Sequence, residues 1–86
     1  MLNDTRPAAS RKIAFVPYAT NFDLPPSVRD HLPEHAQDIF RAAFNHAYEA
    51  HADDPRQEEA AFRIAWAAVK QHYEKVGSRW VARADI

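Results

Sequence analysis

Leu32-Pro33-Glu34-His35-Ala36-Gln37-Asp38-Ile39-Phe40-Arg41-Ala42-Ala43-Phe44-Asn45 decides the fold of this chain. Proline disfavours helix at the residue before it and fits a first helical position, so Pro33 closes one helical turn and opens another. At ~100° per residue, Ala36, Ile39, Phe40, Ala43, Phe44, Ala47 and His51 fall on one face of a helix over residues 33–52. Asp38, Arg41, Asn45 and Glu49 fall opposite. Glu34 sits in the first turn, where the helix dipole favours an anion.

Upstream, Pro25-Pro26 can begin a short helix whose apolar side is Val28 and Leu32. The stretch before it, Ile13-Ala14-Phe15-Val16-Pro17-Tyr18, is β-prone, but Pro17 restricts any strand there to a sheet edge. Residues 1–12 are polar and aperiodic and read as a flexible tail. Residues 13–82 form the folded domain, and 83–86 a second tail.

Downstream, Asp53-Asp54-Pro55-Arg56-Gln57 breaks and restarts the chain. Asp54 suits an N-cap, Pro55 the first helical position, and Gln57 the far side of a capping box. The third helix is expected over 55–76, with Gly77 as its left-handed cap. Its apolar residues, from Ala61 to Val76, cover roughly 200° of the helix wheel, more than one neighbour fills. Ala61, Ala65 and Ala68 permit close approach of the second helix. Phe62, Trp66, Val69 and Tyr73 make a bulkier second face. Segment 13–18 and Trp80-Val81 are expected to cover that face together as a two-stranded ribbon, with Trp66 and Trp80 both substantially buried. The fold expected is mainly α: a compact three-helix domain, its first helix short, with a small β element from the terminal segments.

Composition excludes much chemistry. The chain has no cysteine, which removes disulfides and thiolate metal sites, and its one glycine, Gly77, removes phosphate-cradling glycine loops. The serines Ser10, Ser27 and Ser78 lie in no nucleophile-elbow context. His31 and His35 are four apart but separated by Pro33, which breaks the register a metal pair would need. His51 and His72 fall on apolar faces, where a hydrogen-bonded histidine is commoner than a ligand. Asp53, Asp54, Glu58 and Glu59 lack the alternating ligands and glycine of a calcium loop, and capping of the third helix accounts for them. No enzyme activity, cofactor or metal is expected. The N-terminus lacks the apolar core of a secretory signal and the apolar runs are too short to span a bilayer, so a cytoplasmic protein is expected.

The net charge of -1 hides an uneven distribution. Residues 23–60 hold nine acids against three basic residues, and residues 61–86 five basic residues against two acids. Lys70, Lys75, Arg79 and Arg83 complement the dipole at a helix C-terminus; the sharper reading, with Arg11 and Lys12, is a phosphate-facing patch.

The chain resembles the ChaB family of small bacterial proteins. The resemblance is carried by Asp23-Leu24-Pro25, Val28, Leu32-Pro33, His35-Ala36-Gln37, Ile39-Phe40, Ala43-Phe44-Asn45 and Ala47. It continues at Ala65-Trp66-Ala67-Ala68-Val69-Lys70, Tyr73 and Trp80. Phe40 stands where the family has tyrosine and His51 where an aromatic is frequent, and residues 1–16 extend beyond its usual start. The resemblance implies three helices with a small β element and brings no catalytic residues. It implies a cytoplasmic interaction protein regulating a cation (sodium or calcium)/proton antiporter. Asp38, Arg41, Asn45, Glu49, Asp53 and Asp54 are the docking candidates, since the apolar faces are needed for folding. Similar domains also occur joined to nucleic-acid-binding modules, which makes an accessory module using Lys70, Lys75, Arg79 and Arg83 the alternative.

Overall fold

Pro33 divides the first two helices as its chemistry requires. The computed structural model describes residues 16–84 and gives a 3₁₀ turn (Asn21–Asp23), α1 (Pro26–Arg29), α2 (Glu34–Ala50), α3 (Gln57–His72), β1 (Tyr73–Val76) and β2 (Arg79–Ala82). Pro33 occupies the N-cap of α2 with extended backbone, ψ 161°. The carbonyls left at the end of α1 are met by a side chain from the next helix: Gln37 Nε2 donates to Arg29 O (3.1 Å) and Leu32 O (2.9 Å). Leu32 and Ala36 are buried on either side of this corner.

Helices α2 and α3 pack as an antiparallel pair around Phe40 and Phe44, which are fully buried. Ala61 and Ala65, both at 0% exposure, give the close approach that their small side chains predict. The aromatic face of α3 does not look away from α2. Phe62 meets Phe44 edge-on at 4.9 Å between ring centroids, and Trp66 meets Phe40 edge-on at 5.2 Å. The apolar arc is therefore narrower than the wheel suggests. Ile64 is exposed, and Val76 lies outside the helix altogether.

Tyr73 ends α3 in extended conformation, four residues before the expected stop. The cause is local. Val76 pairs with Arg79 across Gly77-Ser78, and Gly77 has φ 64°, the positive value that a two-residue hairpin turn with glycine first requires. Gly77 thus turns a hairpin instead of capping a helix. The ribbon consists of β1 and β2, antiparallel, and Arg83 N–H extends its ladder to His72 O at 2.9 Å.

Segment 16–18 takes no part in that ribbon; residues 1–15, including the remainder of 13–18, lie outside the described residues. Tyr18 instead lies on α2, its ring 4.8 Å from Phe44. Trp66 and Trp80 stack on each other at 5.7 Å, each half-buried and packed against the core, although segment 16–18 does not share in covering them. At the other end of the helix pair the capping box is displaced. Arg56 takes the N-cap position of α3, and Asp54 Oδ1 accepts from Arg56 N–H at 2.8 Å. Gln57 reaches away from the cap to donate to Tyr48 O at 2.7 Å, tying the start of α3 to the end of α2.

Candidate interaction surfaces

The polar face of α2 is largely engaged within the molecule. Asn45 brackets the backbone of Tyr18: its Oδ1 accepts from Tyr18 N–H (3.1 Å) and its Nδ2 donates to Tyr18 O (2.8 Å). Asn21 does the same work one turn away, donating to Asp38 Oδ1 and accepting from Arg41 Nε at 2.7 Å. Arg41 also donates to Ala19 O and lies 3.8 Å from Asp38. Of the four α2 candidates, Asp38, Arg41 and Asn45 thus hold segment 18–21 in place. Glu49 is exposed and makes no hydrogen bond or ion pair among the described residues.

Glu49 belongs to a larger group at the α2–α3 turn. Residues 49–59 carry five acids, Glu49, Asp53, Asp54, Glu58 and Glu59, against the single Arg56. Asp54 is fixed by Arg56 N–H and lies 3.6 Å from His51 Nδ1. Glu49, Asp53, Glu58 and Glu59 remain exposed. Glu58 also acts on Tyr18, whose phenol is pushed above its ordinary value by burial first, then by Glu58 and Tyr48.

The hairpin end carries the opposite sign. Lys70, Lys75, Arg79 and Arg83 stand against Glu74 over residues 70–83. Arg83 is engaged: its Nε donates to Lys70 O at 2.9 Å and its Nη1 lies 3.7 Å from Glu74 Oε1. Lys75 pairs with Trp80 and Arg79 with Val76, and successive strand residues face opposite ways. Trp80 stacks inward on Trp66, so Lys75 shares the inner face of the hairpin and Arg79 the outer. The four cations do not form one flat patch. The 16 residues of α3 separate the two charged ends by about 24 Å.

Two features escaped the sequence reading. Phe22, at 79% exposure the most open large apolar side chain among the described residues, is displayed on the 3₁₀ turn. The Arg29 guanidinium lies 5.3 Å from its ring centroid and donates to its carbonyl. Val76, 56% exposed, stands at the tip of the hairpin. The signal for Val76 was present in Gly77-Ser78 between two β-prone runs; Phe22 had none.

The histidines serve the fold or stay at the surface. His35 Nδ1 and the Tyr73 hydroxyl are hydrogen-bonded at 3.2 Å, joining the start of α2 to the end of α3. His31 Nδ1 donates to Ser27 O. His72 is exposed, contrary to its expected place on an apolar face. Among the described residues no three His, Asp or Glu side chains gather where a metal ion would fit, and no helix is long and apolar enough to cross a membrane.

The ChaB family model matches residues 24–83, which takes in α1 through β2. Proteins of Escherichia coli (strain K12) and Shigella flexneri, each named "Putative cation transport regulator ChaB", are 48% identical over 66 residues. Each match covers 70% of this chain and 87% of the relative. A solution structure determined by NMR under the same name is 45% identical, with a TM-score of 0.70, over 79% of this chain and 100% of that one. By sequence and by fold, this chain belongs to the ChaB family.

Proposed function

We propose that this protein is a non-catalytic, cytoplasmic regulatory partner of a cation/proton antiporter carrying sodium or calcium. The names of its relatives support a role in regulating cation transport. The observation that carries the docking site is the acidic end of the α2–α3 pair. Glu49, Asp53, Glu58 and Glu59 stay exposed after folding has engaged Asp38, Arg41 and Asn45. Cytoplasmic loops of membrane proteins carry an excess of lysine and arginine, the complementary charge. The helix pair presents the acids on a rigid support, which lowers the ordering cost of association. Asp54 contributes by shaping the turn rather than by touching the partner.

The test is antiport measured in everted membrane vesicles, with sodium or calcium as the driving cation and purified protein added to the exposed cytoplasmic face. Wild-type protein should change the exchange rate, and a Glu49→Gln, Asp53→Asn, Glu58→Gln, Glu59→Gln variant should not. Equal effects from the two proteins would refute the acidic end as the docking site. No effect from either, with nucleic-acid proteins recovered by cross-linking in cells, would favour the accessory-module reading instead.

A further inference from the structure

The hairpin has no evident role in the α2–α3 core beyond Tyr73 and Trp80, yet its tip combines features that fit one kind of surface. Val76 is 56% exposed beside Gly77, at the extreme end of the ribbon. Lys75 and Arg79 flank it and make no hydrogen bond or ion pair among the described residues, whereas Arg83, farther from the tip, is held by Glu74 and Lys70 O. Cross-strand pairing puts Lys75 and Arg79 on opposite faces of the ribbon.

We infer that the hairpin tip is a peripheral membrane contact that seats Val76 among the headgroups of an anionic lipid surface, with Lys75 and Arg79 on its phosphates. Cations on both faces of a narrow ribbon suit a tip entering edge-on, where headgroups surround it. A nucleic acid asks for cations along one face to follow its phosphates, and a single strand also for aromatic rings open to its bases. Here Trp80 is stacked on Trp66 instead, and an exposed valine adds nothing to phosphate binding. An aliphatic tip ringed by lysine and arginine is the combination that an interfacial anchor uses. The acidic end lies about 24 Å away along α3, beyond the ~8 Å screening length at physiological salt, so it does not oppose contact of the hairpin tip with the lipid.

The inference needs no transporter, and its test contains none. Sedimentation with phosphatidylcholine vesicles, with or without about one-third phosphatidylserine, at ~0.05 M salt reads binding directly. Wild-type protein should bind the phosphatidylserine vesicles and not the neutral ones. Each cation near such a surface is worth about five-fold in affinity, so Lys75→Gln with Arg79→Gln should weaken binding about 25-fold. Val76→Ser should weaken it several-fold, and Arg63→Gln, on exposed α3 surface, should leave it unchanged. These side chains are exposed, so the variants should melt with the wild type. Absence of binding to phosphatidylserine vesicles overturns the inference. So does an equal loss in Arg63→Gln, which would mean diffuse charge attraction, or an unaffected Val76→Ser. Duplex DNA bound in preference to the vesicles would assign the cations to nucleic acid.

Discussion

Replacing Asn45 by alanine tests whether the polar face of α2 holds the fold or faces a partner. The side chain makes two hydrogen bonds to the Tyr18 backbone, at 3.1 and 2.8 Å, both partly buried. Each bond contributes about 0.5–1.5 kcal/mol net, so Asn45→Ala should cost about 1–3 kcal/mol. Near the middle of that range, at about 2 kcal/mol, a domain of this size should melt about 8–16 °C lower. Asn45→Asp keeps the acceptor for Tyr18 N–H but sets a carboxylate against Tyr18 O, so it should not rescue the loss. The control is Glu49→Ala, on the same helix face, exposed and without a partner among the described residues; it should stay within about 0.5 kcal/mol of wild type. Urea unfolding followed by circular dichroism gives both values, and hydrogen exchange at the Tyr18 amide reports the local bond. Equal stability of the two variants, with Tyr18 exchange unchanged in Asn45→Ala, would refute the reasoning.

Phe40→Ala should cost about 3–5 kcal/mol, since the ring is fully buried and touches Phe44, Phe62 and Trp66. Trp66→Ala, at a half-buried position, should cost less; the reverse order in denaturant titrations would place the core wrongly. Gly77→Ala meets no atom within 4 Å of its new Cβ, so its cost is the positive φ alone, about 1–2 kcal/mol. A neutral Gly77→Ala would show that the turn is not the one described. Burial holds the folded Tyr18 phenol above its unfolded value of 10.0, so its contribution is fully present below pH 10.0 and is lost as pH rises through the folded value. Melting temperature should fall across that alkaline range, and Tyr18→Phe should flatten the fall.

The helices were legible because their signals are local. Pro33 marks a boundary by sterics alone, and the spacing of Ala36, Phe40, Phe44 and Ala47 gave the face that proves buried. The hairpin was misread because the apolar period continued past it. Tyr73 and Val76 lie three apart, as on a helix, and Gly77 serves a helix cap and a hairpin turn equally well. Gly77-Ser78 between Lys75-Val76 and Trp80-Val81 is the local signal that separates the two, because a two-residue loop flanked by β-prone residues marks a hairpin. The aromatic face of α3 was misassigned for a different reason. A wheel gives direction but not reach, and Phe62 and Trp66 are long enough to lean back onto Phe40 and Phe44.

The candidate site was less legible, and the reason bears on what the family resemblance means. A helix wheel sorts residues by polarity; it cannot show which polar side chains a distant segment will occupy. Asn45 meets Tyr18 from 27 positions away, and Asp38 and Arg41 meet Asn21. The residues most diagnostic of the family have structural roles here. Leu32 is buried, Pro33 divides two helices, His35 holds Tyr73, Gln37 closes α1, Phe44 fills the core and Asn45 fastens Tyr18. A motif occupied in this way specifies architecture, so sharing it transmits the fold more securely than the partner. Glu49, Asp53, Glu58 and Glu59 at one end, and Lys75, Val76 and Arg79 at the other, are exposed and lie outside those motif residues. Function in this chain should therefore respond to substitutions at the two ends of the α2–α3 pair, while substitutions in the motif should act through stability.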